Sequence, residues 1–233
     1  MTDDTGPAVV ELRRYTLRPG ARETLIELFE RELVEPQEAA GMSLLGWFCD
    51  VHDPDAYVWL RGFADMPSRA DALTAFYRGP VWAAHRDAAN ATMIDSDDVL
   101  LLRPARTGAG LRRVDVPHDG RLLVTTYHLG RPADQGFLDA FTETIEPALN
   151  AIGGRSVGVY VTEPTPNNWP ALPVREGEEV LVSLRALPDA AEQRAFSAAL
   201  AATPPGLPDA TTTLLEPGHR GKDREARGVI QGL

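Results

Sequence analysis

The chain has 233 residues, of which 43% are hydrophobic and 24% charged, and this ordinary globular usage allows it to bury a core. Its formal net charge of −11 disfavours nucleic acid and anionic membrane surfaces as partners, because both would repel it. Cys49 is the only cysteine, which excludes an intramolecular disulfide. The N-terminus lacks the basic start and apolar run of a signal peptide, and no apolar stretch reaches the roughly 18 residues of a membrane span. We therefore expect a cytoplasmic protein.

The first half of the chain predicts the element order βαββαβ. Alternating and β-branched residues indicate strands, spacings of three and four indicate helices, and Pro/Gly/Asp clusters indicate turns. Pro36 is expected to kink or split the first helix. The predicted elements are a strand at 8–17, a helix at 22–40, hairpin strands at 43–50 and 56–63, a helix at 66–78 and a strand at 97–104, with an extra helical stretch at 80–93 before the last strand.

The second half of the chain repeats this order. Its predicted elements are a strand at 121–130, a helix at 133–153, strands at 156–163 and 179–187, a helix at 189–200 and a strand at 210–217. Tyr15 and Tyr127 lie 112 residues apart, as do Phe29 and Phe141, and Gly46 and Gly158. After the hairpin, matching residues of the two halves lie 124 positions apart, and this change of offset predicts an insertion of about twelve residues in the second hairpin. At the last strand the offset is 113, because the extra helix lengthens the first half.

The predicted fold class is α+β, with two tandem ferredoxin-like repeats packed sheet to sheet. A βαββαβ unit covers one face of its antiparallel sheet with helices and leaves the other face bare, and two units in one chain can cover each other as a pseudo-dimer. The predicted boundaries are a first domain at 8–104, a linker at 105–120, a second domain at 121–217 and a polar tail at 218–233.

Five stretches together resemble the NIPSNAP family of the dimeric α/β-barrel superfamily. They are VVELRRYTLRPGARETLIELFE, SLLGWF, FYRGPVWAAHRDAANATM, DSDDVLLLRP and NNWPALPVREGEEVLV. The resemblance runs from residue 8 to about 217 and implies ferredoxin-like domains that form a barrel. The superfamily includes cofactor-free oxygenases that act on aromatic polyketides, haem-degrading oxygenases, lactone isomerases and cyclases. It therefore implies a small apolar or aromatic ligand and, for an enzyme, cofactor-independent monooxygenase or isomerase chemistry.

Strand alternation separates an aliphatic face from a polar and aromatic face in the first half. We expect the aliphatic residues to pack on the helices and the other face to line the space between the two sheets. The first face carries Val10, Leu12, Val58 and Leu60, and the second carries Glu11, Arg13, Tyr15, Tyr57, Trp59 and Arg61. One interpretation is a site in which Arg13 or Arg61 stabilises an enolate beside Trp59. The other is a set of structural ion pairs between the half-barrels.

The candidate bases are His85 and Tyr15, which could deprotonate an acidic phenol or enol. His85 follows Trp82 by three residues, so the two share a helical face on which the indole could stack against a flat ligand. The alternative is a half-exposed histidine on a peripheral helix. His128, at the end of a strand, has the same two interpretations.

The inserted loop, NNWPALPVREGEEV at 167–180, carries the remaining candidates. Asn167 and Asn168 suit tight turns, and two prolines stiffen the middle of the loop. The loop could be a lid with Trp169 as a wall and Arg175 or Asn168 as an anion or carbonyl contact. It could equally cover a sheet edge or plug the partner half-barrel.

No metal and no cofactor are expected, because no paired histidines or cysteine cluster occur, and the DSDD run at 95–98 lacks the glycine and distal glutamate of a calcium loop. Haem ligation by His85 or His128 is disfavoured. Two functions remain: binding of a small molecule, with or without catalysis, and a non-enzymatic carrier or protein-interaction scaffold. A cavity large enough for a ring system would favour the first. The sequence leaves a homo-oligomer open.

Overall fold

The computed structural model describes residues 6–106, 111, 114, 116–117, 119–201 and 209–218. Eight antiparallel strands form one closed barrel, and helices pack on its outside. The strands are β1 (Val9–Leu17), β2 (Ser43–Asp50), β3 (Ala56–Phe63), β4 (Met93–Pro104), β5 (Arg121–His128), β6 (Arg155–Thr162), β7 (Val180–Leu187) and β8 (Ala210–Pro217). The helices are α1 (Arg22–Leu28), α2 (Val34–Ala39), α3 (Met66–Tyr77), α4 (Pro80–Thr92), α5 (Gln135–Ala140), α6 (Glu146–Ile152) and α7 (Ala190–Ala201).

The order of strands is the same in the two halves of the barrel. Around the closed sheet it is β4-β1-β3-β2 followed by β8-β5-β7-β6. Within a half the ladders are long, since β1 and β3 share eight residue pairs and so do β5 and β7. The halves meet at two shorter seams, β2 with β8 and β4 with β6, which have three residue pairs each. The α+β class and the antiparallel sheet agree with the sequence prediction.

Both predicted long helices are interrupted at the same place. A π-helical turn at Phe29–Leu33 separates α1 from α2, and another at Phe141–Ile145 separates α5 from α6. A proline follows each turn, Pro36 and Pro147. Proline has no N–H to donate to the carbonyl four residues before it, so a regular α-helical ladder cannot continue through it. The prediction that Pro36 marks a break is thus correct in place, and the break takes the form of a π turn.

The prediction of which face points inward was wrong. The aliphatic residues Val10, Leu12, Val58 and Leu60 fill the barrel together with residues of the second half such as Val124 and Leu184. The opposite face, with Tyr15 and Trp59, packs against Leu25, Phe29 and Phe76 of the helical layer. Aliphatic side chains fill the barrel interior, where an unpaired charge would be costly, whereas the polar face finds polar groups on the helices and the inserted loop.

The two halves differ in one hairpin and one helix. The β2–β3 loop spans residues 51–55, whereas the β6–β7 loop spans 163–179 and is twelve residues longer. Helix α4 follows α3 directly in the first half. Both differences were predicted from the changes of offset. No helix that the structure describes is both long and apolar enough to cross a membrane.

The described linker residues are part of the barrel core rather than a free connection. Leu111 donates its backbone N–H to the Tyr160 hydroxyl at 2.9 Å, and Val114 donates to the Leu45 carbonyl at 2.7 Å. Both pack with the aliphatic residues inside the barrel. The expectation of a polar tail falls on residues that, apart from Gly218, lie outside the described part of the chain.

Candidate functional site

A cavity of about 340 Å³ opens at one end of the barrel. We call it the mouth cavity. Its floor is aliphatic and its rim is polar, because inward-facing residues change from aliphatic to polar towards this end of the strands. The floor is formed by Leu12, Val58, Leu100, Val124 and Leu215, and the rim by Arg14, Asp50, Asp98, Thr126, His128, Arg175, Thr211 and Thr213.

Two arginines on the rim are held by carboxylates. Arg14 donates to Asp50 at 2.7 Å and to Asp53 at 2.8 Å. Arg175 donates to Asp98 at 3.2 Å and also pairs with Glu178. Arg14 and Arg175 are only about one-third exposed. These pairs fix the arginines in place, so the rim presents preformed polar groups to a ligand rather than free charges.

The rest of the rim is a row of hydroxyl groups with one imidazole. Thr126 lies opposite Thr211 in the β5–β8 ladder, and Val124 lies opposite Thr213. His128 Nε2 is 3.2 Å from the Thr211 hydroxyl oxygen. Each hydroxyl can donate one hydrogen bond and accept others, so this side of the rim suits a ligand with carbonyl or hydroxyl oxygens.

A second polar assembly lies outside the barrel, between the sheet and the helices of the first half. We call Glu11, Arg13, Arg61 and Arg69 the arginine cluster; all four are at most 1% exposed. Glu11 Oε2 accepts from Arg13 Nη1 at 2.7 Å and from Arg61 Nε at 2.7 Å, and Glu11 Oε1 accepts from Arg69 Nε at 2.7 Å. One carboxylate therefore serves three guanidinium groups.

The arginines control the ionisation of the acid at the centre. Burial alone would raise the pKa of Glu11, but the charges of Arg61, Arg13 and Arg69 outweigh it and hold that pKa well below the usual range. Burial raises the pKa of Tyr15 even though Arg13 lies beside its hydroxyl group. Tyr15 therefore stays protonated at neutral pH, which makes it a poor general base.

Aromatic rings enclose the cluster. The Arg13 and Arg61 guanidinium carbons lie 5.7 Å and 5.1 Å from the Trp59 ring centroid, close enough for cation–π attraction. Tyr15 meets Trp59 edge to face at 5.9 Å. Trp59 was predicted to contact a ligand, but the structure places it beneath the helices and outside the mouth cavity.

The inserted loop docks on the first half of the chain. Arg69 Nη1 donates to the side-chain oxygens of Asn167 at 3.0 Å and Asn168 at 2.7 Å. Trp169 Nε1 donates to the Thr74 hydroxyl at 3.0 Å. Of the predicted loop contacts, only Arg175 lines the mouth cavity; Asn168 and Trp169 are bound to α3 and do not. The loop thus ties the two halves together, while its predicted roles, as a lid or as a cover for a sheet edge, stay predictions.

The predicted base His85 lies away from the predicted arginines. Its Nε2 is 3.6 Å from Glu32 of the π turn, and its side chain is 30% exposed on α4. Trp82, on the same helix, meets Tyr77 at 5.0 Å and Phe76 at 5.9 Å between ring centroids. Neither lines the mouth cavity. The structure therefore does not bring His85 together with the buried Arg13 and Arg61, and the catalytic roles of His85, Tyr15, Arg13 and Arg61 stay predictions.

Two groups of residues were missed from the sequence, and each left a signal. Arg14 lies on the same face of β1 as Val10 and Leu12, which point into the barrel. A charged residue at the end of this row of apolar residues was the signal for the mouth cavity. Arg69 lies among Met66, Leu73 and Phe76, which are all buried on one face of α3. An arginine on the apolar face of a helix indicates a buried charge partner.

Within the part of the chain that the structure describes, no three His, Cys, Asp or Glu side chains form a group that could hold a metal ion. The arginine cluster and the mouth rim are assemblies of guanidinium, carboxylate and hydroxyl groups. Their chemistry is that of hydrogen bonding and charge stabilisation.

Comparison with known proteins gives a family-model match over the first half and a fold for the whole chain. The NIPSNAP family model matches residues 10–108. A candidate monooxygenase from Lactobacillus acidophilus NCFM is 11% identical with a TM-score of 0.58, over 91% of this chain and 94% of that chain. Another, from Fusobacterium nucleatum, is 8% identical with a TM-score of 0.56, over 92% of this chain and 94% of that chain.

A NIPSNAP family protein of unknown function from Agrobacterium tumefaciens is 22% identical with a TM-score of 0.39, over 42% of this chain and 88% of that chain. No curated protein matches the chain. The two long alignments show that the whole chain has the fold of the candidate monooxygenases.

Proposed function

The NIPSNAP family model matches residues 10–108, and we propose that the chain binds a small, largely apolar or aromatic molecule in the mouth cavity. The observation that carries the proposal is the cavity itself, about 340 Å³ with an aliphatic floor and a polar rim. Ligand sites in proteins typically measure about 300–1,000 Å³ and combine apolar walls with a few placed polar groups. The volume suits a molecule of about one ring with polar substituents.

The cavity needs both halves of the chain. Leu12 and Arg14 come from the first half, and Val124 and Thr213 from the second. We propose that the halves are tandem ferredoxin-like repeats, with domains at 8–104 and 121–217, that form one barrel as a pseudo-dimer. The shared strand order and the π turns at Phe29–Leu33 and Phe141–Ile145 support this. A ligand at their common axis explains why both copies are kept in one chain.

Oxygenation or isomerisation without a cofactor is the second candidate function. His128 supports it, since its imidazole lines the cavity and its Nε2 lies 3.2 Å from the Thr211 hydroxyl oxygen. A neutral imidazole there could take the proton of an acidic phenol or enol bound on the aliphatic floor. We expect a His128→Asn variant to keep ligand binding and to lose any turnover of that ligand.

Ligand binding is tested by a matched pair of substitutions on β8. Thr213 lines the cavity, while its neighbour Thr212 is exposed. We expect Thr213→Phe to fill the cavity and to remove binding, and Thr212→Phe to leave binding unchanged. The readouts are native mass spectrometry of freshly purified protein, for a co-purified molecule, and saturation-transfer NMR with phenol as a one-ring probe.

Two results would contradict the binding proposal, and a third bears only on catalysis. Equal phenol signals from the two variants would place binding outside the mouth cavity. A wild-type protein with no co-purified molecule and no phenol signal would favour the protein-interaction scaffold. Retained turnover in His128→Asn would remove only the catalytic role of that residue.

A further inference from the structure

The arginine cluster has an unusual balance of charge. Three guanidinium groups surround the single carboxylate of Glu11, so the four side chains carry a formal charge of +2 while being almost fully buried. The other acceptors around the arginines are neutral, such as the Tyr15 hydroxyl at 3.1 Å from Arg13 Nε and the Tyr77 hydroxyl at 3.2 Å from Arg61 Nη1. Buried charges are costly unless they are paired, so excess positive charge here calls for a further anion.

Unused donors point in the same direction. Tyr57, Trp59 and Arg61 alternate along β3 and therefore share its outward face. The Tyr57 hydroxyl, Trp59 Nε1 and Arg61 Nη2 are all buried and make no hydrogen bond within the described part of the chain. A buried donor without an acceptor loses its hydrogen bonds to water and gains none in the protein, which costs about 1–3 kcal/mol of stability. Trp59 and Arg61 are neighbours on this strand face, so one acceptor between them could satisfy a donor of each.

The inserted loop closes the cluster on its outer side. Arg69 Nη1 is satisfied by two neutral oxygens, those of Asn167 and Asn168. Asn168 is exposed, and Trp169 is half-buried with its ring centroid 5.3 Å from that of Tyr77. The amide oxygens occupy positions at which an anionic oxygen would bind a guanidinium more strongly. The loop is therefore the side from which a ligand can reach the arginines.

We propose that the arginine cluster binds a small carboxylate, separately from the mouth cavity. The carboxylate accepts hydrogen bonds from Arg61 and Trp59, and on Arg69 it replaces the amide oxygens of the inserted loop. A planar carboxylate matches the fork of a guanidinium group and brings the negative charge that the cluster lacks. The aromatic rings around the arginines, Trp59 and Tyr77, suit a carboxylate with a short apolar substituent.

The second half supplies a matched control. Arg185 occupies the position equivalent to Arg61, and its Nη1 donates to Asn150 at 2.9 Å and to the carbonyls of Gly153 and Gly154 at 3.1 Å and 3.0 Å. Leu123 stands where the first half has Glu11. Arg185 Nη2, like Arg61 Nη2, is a buried donor without a hydrogen bond among the described residues. Arg185 nevertheless belongs to no arginine cluster and its hydrogen-bonded partners are neutral, so its replacement should leave carboxylate binding unchanged.

The experiment is saturation-transfer NMR on the full chain with sodium benzoate, and with benzamide as its uncharged analogue, at constant ionic strength. In Thr213→Phe, whose mouth cavity is filled, we expect benzoate to bind saturably and benzamide not to bind. Arg61→Met should weaken benzoate binding at least about tenfold, since a charge-assisted hydrogen bond is lost. Arg185→Met and Thr213→Phe should bind benzoate like the wild type, and the second of these distinguishes the site from the mouth cavity.

A loop variant keeps the test decisive if Arg61→Met does not fold. Asn167→Ala combined with Asn168→Ala removes the neutral oxygens from Arg69 and should tighten benzoate binding several-fold. Absence of benzoate binding in the wild type would overturn the proposal, as would an unchanged affinity in the double variant or in a folded Arg61→Met. Loss of the benzoate signal in Thr213→Phe would also overturn it, because the carboxylate would then lie in the barrel.

Discussion

The outward sheet faces of the two halves hold equivalent arginines in different ways. In the first half, Arg61 binds the buried Glu11; in the second half, Arg185 binds the carbonyls that end α6, with Leu123 at the position of the acid. Burial lowers the pKa of Arg185. The second half shows that this fold needs only an arginine that caps a helix at this position. The acid and the two additional arginines of the first half are therefore not required by the architecture.

The aromatic residues differ in the same way. Tyr57 and Trp59 on β3 correspond to Leu181 and Ser183 on β7. The first half packs its rings in one large cluster under the helices, whereas the second half divides its outer core into two smaller clusters. The arginine cluster with its tryptophan is thus a feature of the first half, while the second half buries aromatic rings such as Tyr127 and Phe141 in smaller clusters.

The largest expected effect on stability comes from removing the charge of Glu11, which the second half lacks at the equivalent position. Glu11→Gln leaves three buried guanidinium groups without their carboxylate and should lower the free energy of unfolding by about 3–5 kcal/mol. Urea denaturation measures this directly. A loss below about 1 kcal/mol would show that the cluster is already compensated elsewhere. Leu123→Met is the control in the other half and should cost less than about 1.5 kcal/mol.

Glu11 also makes the stability of the protein depend on pH, and the second half has no equivalent acid. Because the folded pKa of Glu11 is depressed, its stabilisation is complete above the unfolded pKa of about 4.3 and is lost as the pH falls towards the folded value. The stability difference between wild type and Glu11→Gln should be constant from about pH 6 to 8 and should shrink below about pH 4.3. Thermal midpoints of both proteins between about pH 3 and 8 test this, and a constant difference throughout would contradict it.

An intermediate effect is expected at a feature that the halves share. Gly46 and Gly158 lie at equivalent bulges, and a Cβ atom would come within 2.8 Å of the Phe48 ring in one case and of the Tyr160 ring in the other. Alanine at either position should cost about 1–3 kcal/mol through overpacking. Gly136→Ala in α5, where the nearest atom would be 3.6 Å away, is the control and should not destabilise. Very different losses of stability in Gly46→Ala and Gly158→Ala would show that the two bulges are not equivalent.

The smallest effect is expected at His85. Its contact with Glu32 is 3.6 Å long and both side chains are about one-third exposed. His85→Asn should change stability by less than about 1 kcal/mol and should leave phenol and benzoate binding unchanged. Thermal denaturation and the two NMR titrations measure this. A large loss of binding would restore His85 to the site predicted from the sequence.

Much of the fold could be predicted from local patterns in the sequence. The hairpins, the longer second loop and helix α4 were predicted because periodicity and changes of offset are visible along one dimension. The break near Pro36 was predicted because a missing N–H is a property of the residue itself.

The sequence could not predict which face of the sheet points into the barrel. On β1 both faces are buried, so alternation tells which residues share a face but not which face the barrel encloses. The mouth cavity also could not be predicted, since His128 of the second half meets the paired Arg14 and Asp98 of the first half only when the strands close into a ring. The arginine cluster was half predicted: Glu11, Arg13 and Arg61 share a face by parity, while Arg69 comes from a helix and the Asn residues from the other half.

The two seams of the barrel are reinforced unequally. Beyond its three residue pairs, the β4–β6 seam is continued by three backbone hydrogen bonds, from Ala105 to Val159 at 2.9 Å, from Glu163 to Leu101 at 2.9 Å and from Arg175 to Val99 at 2.8 Å, and the inserted loop supplies the last two. At the β2–β8 seam, the described residues add two such bonds, from Val51 to Leu214 at 3.0 Å and from Gly218 to Trp47 at 3.1 Å. Transient separation of the sheet should therefore begin at β2–β8, where amide hydrogens would exchange with solvent first. The β4–β6 seam would stay paired and act as the hinge.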